Sequence, residues 1–227
     1  MNISIAALIR STAESTDSRS QFWASRMQDV YGIDISPSID FSILRDIYRT
    51  ISIFPPSLIK ACGITRMEIR EDMGPNRPYY PNHGYFVNHT VALNADIFRH
   101  PDQPDDFMDH RGYFLTRPSQ TLYHEWGHGY DEYNGSPSLK DDWLRLSGWS
   151  KEQQPGLKRL IIRDSRAPEV IGEWWYSPEA KFTRFYGKKN PYDDFADCFS
   201  FYVGGLRSKV PENKKQYLDR MLAAHYA

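Results

Sequence analysis

Cysteine is scarce in this sequence, and neither sign of charge is in excess. The two cysteines, Cys62 and Cys198, are too few for a disulfide framework or a cysteine-rich metal site. The 28 Lys and Arg residues nearly balance the 29 Asp and Glu residues, which argues against a polyanion attracted by overall charge. We therefore expect no nucleic acid among the partners of this protein.

Long apolar runs are also missing. The longest run near the start, residues 5–9, follows no basic residue and is too short for a signal peptide's apolar region or a membrane span. Internal repeats, a linker and a lipid-anchor motif are absent as well. With 227 residues, 40% of them hydrophobic, we expect a monomer without membrane association, folded as one domain or a compact two-lobed one.

The first twenty residues are rich in hydroxyl side chains. The seven residues concerned are Ser4, Ser11, Thr12, Ser15, Thr16, Ser18 and Ser20. This composition occurs in the uncleaved leaders of bacterial proteins injected into host cells, and it equally fits a plain polar extension ahead of the first helix. We predict an N-terminal extension over residues 1–20 and a folded domain over residues 21–227.

His124, Glu125 and His128 form an HExxH motif. On a helix, residues four apart share one face with Cβ atoms about 5–6 Å apart, so both imidazoles can bind one zinc ion at about 2.0–2.1 Å. Glu125 is rotated about 100° from His124 and can accept a proton from a water on the metal. A catalytic zinc ion also needs a third protein ligand and an open position, where it lowers the pKa of water from about 15.7 to about 7.

Patterns around the motif indicate a mixed α and β protein. Near-helical spacing of apolar residues predicts helices at residues 22–31, 43–54, 118–134, 193–203 and 214–224. Alternation predicts strands at 64–69 and 90–98, and residues 100–112 are predicted as a loop, whereas 136–187 give no clear pattern. The expected fold class is α+β, with a small mixed sheet, an active-site helix and a helical C-terminal part.

The third zinc ligand has to come from a later segment. The metzincin pattern requires glycine and histidine where this sequence has Asp131 and Asn134, so that class is excluded. The alternative is a downstream helix with a carboxylate ligand and, one turn later, a second carboxylate that orients a ligating histidine. Asp193 and Asp197 have this spacing.

Two segments, in this order, resemble the catalytic domain of anthrax lethal factor and the bacterial Pro-Pro endopeptidases. They are HEWGHGYDEYNG at residues 124–135 and YGKKNPYDDFADCF at residues 186–199. The resemblance covers residues 60–227 approximately and implies a zincin-like zinc metallopeptidase. It implies that His124 and His128 bind Zn²⁺ and that the Glu between them is the general base. It also implies Asp193 as the third ligand, with Tyr186, seven residues earlier, stabilising the oxyanion.

The strand ahead of the motif is a candidate for substrate binding. In zinc proteases an edge strand at this position commonly binds the substrate backbone by strand addition, which predicts this role for Val91, Ala92 and Leu93. An ordinary half-buried strand fits the same alternation.

The sequence departs from the family at the third ligand, where the family has Glu and this sequence has Asp193. The side chain of Asp has about 1.3 Å less reach than that of Glu. Either the downstream helix lies closer, or Asp194 or Asp197 is the ligand.

The sequence thus predicts a zinc-dependent endopeptidase that acts on a protein or peptide substrate. The resemblance and the hydroxyl-rich start favour a bacterial effector or toxin that is secreted or delivered into a host cell, the alternative location being the cytoplasm. The rival interpretation is a catalytically inactive zincin-fold interaction module, which the Asp in place of Glu favours.

Overall fold

A computed structural model describes residues 5–36, 38–71, 73, 75–77, 80–81, 83–101, 115–162 and 170–226. The helices in these ranges are α1 (Ile5–Tyr31), α2 (Phe41–Ile51), α3 (Pro56–Ala61), α4 (Asp96–Arg99), α5 (Arg117–Tyr133), α6 (Asp141–Ser147), α7 (Pro191–Val203) and α8 (Glu212–Leu222). The strands are β1 (Asp34–Ile35), β2 (Arg66–Arg70), β3 (Pro75–Arg77), β4 (Tyr80–Pro81), β5 (Gly84–Val87), β6 (Thr90–Asn94), β7 (Trp149–Ser150), β8 (Lys158–Ile162) and β9 (Val170–Tyr176). The elements agree with the predicted α+β class, whereas a zincin fold stays a prediction.

The largest described sheet has four strands in the order β1-β2-β6-β5. Strands β1, β2 and β6 run parallel, and β5 is antiparallel to β6. The β5–β6 connection is tight, with Asn88 and His89 at positive φ values of 46° and 61°, the conformation of the two-residue turns that match strand twist. The strand predicted to reach residue 98 ends at Asn94, because its side-chain oxygen accepts the backbone N–H of Asp96 and turns the chain into α4.

Helices α5 and α7 pack directly on each other, and both begin with a side-chain cap and a proline in the first turn. Thr116 caps α5, and Asn190 caps α7 by accepting the backbone N–H of Asp193 at 2.7 Å. The two backbones meet at Gly127, where an added Cβ would lie 2.7 Å from the Cα of Ala196. Glycine at this position therefore allows the backbone of α7 to approach α5 closely.

The N-terminal helices cover one side of the core. Helix α1 packs on α2 and on β1, and buried side chains such as Met27, Leu44 and Ile47 fill the contact. Helix α1 begins at Ile5, so it is longer than the predicted helix at 22–31 and includes most of the residues assigned to a polar extension. The division into an extension and a domain stays a prediction.

The region without a clear sequence pattern contains a second sheet, ordered β7-β9-β8. Strand β7 has two residues and the β8–β9 pairing shifts register, so no regular alternation marks these strands in the sequence. Edge-to-face contacts among Trp149, Tyr176 and Phe182, with ring centroids 5.2–5.7 Å apart, pack this sheet. The sheet borders α7 through Trp149, whose Nε1 donates to Asp194 at 2.9 Å.

Most of the loop predicted at residues 100–112 lies outside the described residues, which include only positions 100 and 101 of it. In the part of the chain that the structure describes, none of the helices combines the length and the apolar character needed to cross a bilayer.

Candidate metal centre

The HExxH residues lie in the middle of α5, as predicted. His124 and Glu125 are buried, and His128 is half-buried. The four-residue spacing brings the Nε2 atoms of the two histidines to 3.1 Å from each other. Their rings stand almost perpendicular, at an interplanar angle of 88°. Two aromatic nitrogens at this distance on one helix face can bind the same ion.

Helix α7 brings a carboxylate oxygen to the same point. The Oδ1 atom of Asp193 lies 3.5 Å from the Nε2 of His124 and 3.5 Å from the Nε2 of His128. A point in the plane of the three atoms and equidistant from them is therefore about 2.0 Å from each, the length of a zinc bond. The three residues could hold a metal ion. Of the sequence alternatives for the third ligand, the structure brings Asp193 to the histidines.

Asp194 points away from the histidines, as its rotation on the helix predicts. Both of its oxygens accept hydrogen bonds at 2.7 Å from the fully buried ammonium of Lys214, and Trp149 donates to one of them. Burial raises the pKa of Asp194, although the charge of Lys214 opposes this. This carboxylate fixes α7 against α8 and the second sheet and is not available to a metal ion.

Asp197 contacts His124, one of the residues that could hold a metal ion, and this contact suits the orienting role predicted for Asp197. Its Oδ1 accepts the Nδ1–H of His124 at 2.8 Å, which directs Nε2 towards Asp193 and His128. Buried Arg184 also donates to the same oxygen through Nη2. Burial raises the pKa of Asp197, but the Arg184 charge and the His124 hydrogen bond outweigh it and lower that pKa below its usual range.

The site favours ionised carboxylates and, without a metal ion, a protonated His124. Burial lowers the pKa of His124, but its hydrogen bonds to Asp193 and Asp197 outweigh burial and raise that pKa to about 9. Burial raises the pKa of Asp193, whereas hydrogen bonds from both histidines and the charge of Lys189 hold it well below its usual range. A metal cation bound here would therefore displace a proton from the imidazole.

The outer oxygen of Asp193, Oδ2, is held on the side away from the histidines. The Nδ2 of Asn190 donates to it at 2.7 Å, and the Nζ of Lys189 lies 3.2 Å from it. Asn190 thus acts twice, since its other side-chain atom caps the helix. These contacts fix the carboxylate with Oδ1 towards the two imidazoles, an arrangement that suits a single metal–oxygen bond.

Tyr186 lies at the same site. Its ring is edge-on to His124 with centroids 5.6 Å apart, and its hydroxyl accepts a hydrogen bond from Lys189 at 3.1 Å. The negative charge of Asp193 and burial raise the pKa of Tyr186 to about 12. The phenol is therefore neutral near pH 7 and can donate its hydrogen.

Glu125 is buried on α5 beside the start of strand β5. Its charge contributes to the raised pKa of both His124 and Tyr186. Strand β5 begins directly against it, since an added Cβ at Gly84 would lie 3.2 Å from the Cγ of Glu125 and 2.8 Å from a methyl of Thr121. Only glycine permits this close contact between the strand and α5.

The structure corrects the prediction that the substrate pairs with the strand ahead of the motif. Val91, Ala92 and Leu93 are fully buried in β6, which is paired on both sides by β2 and β5, so their backbone cannot accept an additional strand. Asp131, at the end of α5, is buried, and its two oxygens accept the N–H and the Oγ–H of Ser138 at 2.7 Å. It fixes the turn after α5.

Three residues of the site were missed from the sequence. Asn190 had a signal, because Asn followed by Pro ahead of an apolar helix is a typical N-cap sequence. Lys189 and Arg184 had no such signal, since a lone basic residue does not show from the sequence which carboxylate it meets.

Comparison of the chain with protein-family models, curated proteins and solved structures found no match.

Proposed function

We propose that this protein is a zinc-dependent endopeptidase. The observation that carries the proposal is the triangle of His124 Nε2, His128 Nε2 and Asp193 Oδ1, with Glu125 between the two histidines. Two imidazoles and one carboxylate are a donor set that catalytic zinc sites use. The residues present therefore fit a zinc ion.

The spacing of the triangle favours zinc over a six-coordinate metal. Tetrahedral ligands at about 2.0–2.2 Å lie about 3.3–3.6 Å apart, whereas neighbouring octahedral ligands at similar bond lengths lie about 2.8–3.1 Å apart. Two of the three separations are 3.5 Å and one is 3.1 Å. Non-haem iron, which also uses two histidines and one carboxylate, is the competing metal, and metal analysis distinguishes the two.

The roles of the surrounding residues follow from their positions. When bound, zinc polarises a carbonyl and lowers the pKa of a water from about 15.7 to about 7. Glu125 would accept the proton of the attacking water and return it to the leaving amine. The neutral hydroxyl of Tyr186 would donate to the carbonyl oxygen as negative charge develops on it, a contribution typically worth about 10² to 10³ in rate.

We also propose that the substrate backbone pairs with β5 rather than with β6. Strand β5 is one of the two outer strands of the four-stranded sheet in the described part of the chain, and it lies against α5 at Glu125. A peptide added to this strand would pass the carboxylate and the histidines in an extended conformation. Strand addition supplies affinity through main-chain hydrogen bonds, and side-chain pockets then supply specificity.

The experiment compares the zinc-loaded wild type with Glu125→Ala and with a control, Glu132→Ala, at an exposed position of the same helix. New protein N-termini in a treated cell lysate are the measurement. Glu125→Ala should retain one zinc ion per chain and lose about 10²- to 10⁴-fold in turnover, and Glu132→Ala should behave as wild type. Cleavage that survives Glu125→Ala would contradict the proposal.

The biological proposal is that the enzyme is a bacterial effector or toxin that acts inside a host cell. It rests on the resemblance of the two motif segments and on the hydroxyl-rich first twenty residues. Host cells that express wild type should show changes that cells with Glu125→Ala lack.

The rival interpretation as an interaction module was favoured by the Asp in place of Glu, and Asp193 lies close to the histidines despite its shorter side chain. One zinc ion per chain without any cleavage would favour the interaction module.

A further inference from the structure

Lys189 joins the two groups that the proposed mechanism needs from the later segment. Its Nζ lies 3.1 Å from the hydroxyl oxygen of Tyr186 and 3.2 Å from the outer oxygen of Asp193. The residue lies between the short 3₁₀ turn at Tyr186–Lys188 and the first turn of α7. Its half-exposed ammonium therefore lies beside the metal-binding group without facing the histidines.

The hydrogen-bond chemistry of an ammonium fixes the direction of both contacts. Lysine has three N–H donors and no acceptor, so Tyr186 must use its oxygen lone pair towards Lys189. The phenolic hydrogen is then directed away from Lys189 and is free for another acceptor. The same ammonium holds Oδ2 of Asp193, which leaves Oδ1 for a metal ion. One side chain thereby sets the orientation of a donor and of a ligand.

We propose that Lys189 is a positioning residue that orients the Tyr186 hydroxyl as a hydrogen-bond donor and keeps Asp193 as a ligand through one oxygen. The predicted effect of Lys189 on turnover rests on the proposed function, whereas its predicted effect on metal binding does not. Lys189 does not touch the reacting atoms and acts through its two neighbours. The charge-assisted contacts are stronger than neutral ones, so a neutral residue of similar size should not replace them.

The test compares Lys189→Met with Lys188→Met, the same substitution at the adjacent position, where the ammonium lies over the Phe185 ring. Zinc affinity is measured by competition with a chromophoric chelator, and turnover by cleavage of a peptide. Lys189→Met should weaken zinc binding about 10- to 100-fold, the usual effect of removing a group that supports a ligand. Lys189→Arg, which keeps the charge and the donors, should recover most of the affinity, and Lys188→Met should match wild type.

The Tyr186 contact is tested by a double-mutant cycle at saturating zinc. Lys189→Met should lower kcat about tenfold or more with little change in KM, and it should have almost no further effect in a Tyr186→Phe background. A substrate-free measurement is the ¹³Cζ resonance of Tyr186, assigned by its loss in Tyr186→Phe. This resonance should move in Lys189→Met and stay in place in Lys188→Met.

The outcomes separate this proposal from the proposed function. Wild-type zinc affinity and an unchanged Tyr186 resonance in Lys189→Met would overturn the positioning role. An equal loss of kcat in the wild-type and Tyr186→Phe backgrounds would overturn the part that acts through Tyr186. If wild type cleaves no peptide, the proposed function fails, and zinc affinity and the resonance still decide the role of Lys189.

Discussion

Substitution of Gly127 by alanine should separate the metal ligands. The new Cβ would lie 2.7 Å from the Cα of Ala196, a backbone atom that cannot rotate away. Ordinary contact between carbon atoms needs about 3.5 Å, so α5 and α7 must move about 0.8 Å apart. The distances from Asp193 Oδ1 to the two histidines would then grow from 3.5 Å towards about 4.3 Å, well above the spacing of tetrahedral zinc ligands.

The magnitude follows from a partial loss of the third ligand. We expect Gly127→Ala to weaken zinc binding at least about 10- to 100-fold, the range observed when a ligand loses its support. The free energy of unfolding should fall only moderately. Overpacking costs about 1–3 kcal/mol, and the higher helix propensity of Ala than of Gly offsets about 1 kcal/mol of it. The variant should therefore remain folded while it binds zinc poorly.

The assay is zinc competition on folded protein, with thermal unfolding of the metal-free form alongside. Gly129→Ala is the matched control, because its Cβ would meet the carbonyl oxygen of Cys62 at 2.5 Å and would not separate α5 from α7. It should lower stability and leave zinc affinity unchanged. Asp193→Glu should weaken zinc binding in wild type and restore it in Gly127→Ala, because one methylene adds about 1.3 Å of reach. Wild-type zinc affinity in folded Gly127→Ala would refute the reasoning.

Two further predictions concern charge. Lys214→Met should destabilise the protein by about 3–5 kcal/mol in urea unfolding, because it leaves the buried carboxyl of Asp194 without its partner. Lys215→Met should change stability little, and equal effects of the two substitutions would contradict this prediction. Zinc binding at pH 7.5 should release about one proton, since the pKa of His124 is about 9 in the metal-free protein, and apparent affinity should rise with pH until that value. Calorimetry in buffers of different ionisation enthalpy measures this release, and its absence at pH 7.5 would contradict the raised pKa.

The helices that carry the site could be predicted from the sequence because their signals are local. The spacing of Leu122, Trp126 and Tyr130, with proline at the start and Asn134-Gly135 at the end, predicts a helix at 118–134, and α5 spans Arg117–Tyr133. The two histidines four residues apart then require a common face. Helix α7 begins two residues before the predicted start, because Asn190 caps it and Pro191 occupies its first position.

The remaining features depend on contacts between distant segments. The order of strands decides that β6 is interior and β5 is outer, and alternation within Thr90–Asn94 carries no information on this order. A buried lysine such as Lys214 has the same local pattern as an exposed one, and only its contact with Asp194 reveals the burial. The second sheet has no clear signal in the sequence for a related reason. Aromatic rings from separate segments pack its strands, and the strands show no regular alternation.

The choice of Asp193 among three nearby aspartates shows how the distant contacts determine the chemistry. Asp193, Asp194 and Asp197 are all buried in the first two turns of α7, and each ionised carboxylate needs its own compensation. Lys214 from α8 donates hydrogen bonds to Asp194, and Arg184 and His124 together donate to Asp197. Asp193 directs Oδ1 towards the two imidazoles while Lys189 contacts its Oδ2, so a divalent cation at Oδ1 would complete its surroundings. The spacing in the sequence permits any of the three as ligand, and the cations that contact Asp194 and Asp197 leave Asp193 as the one that could bind a metal ion.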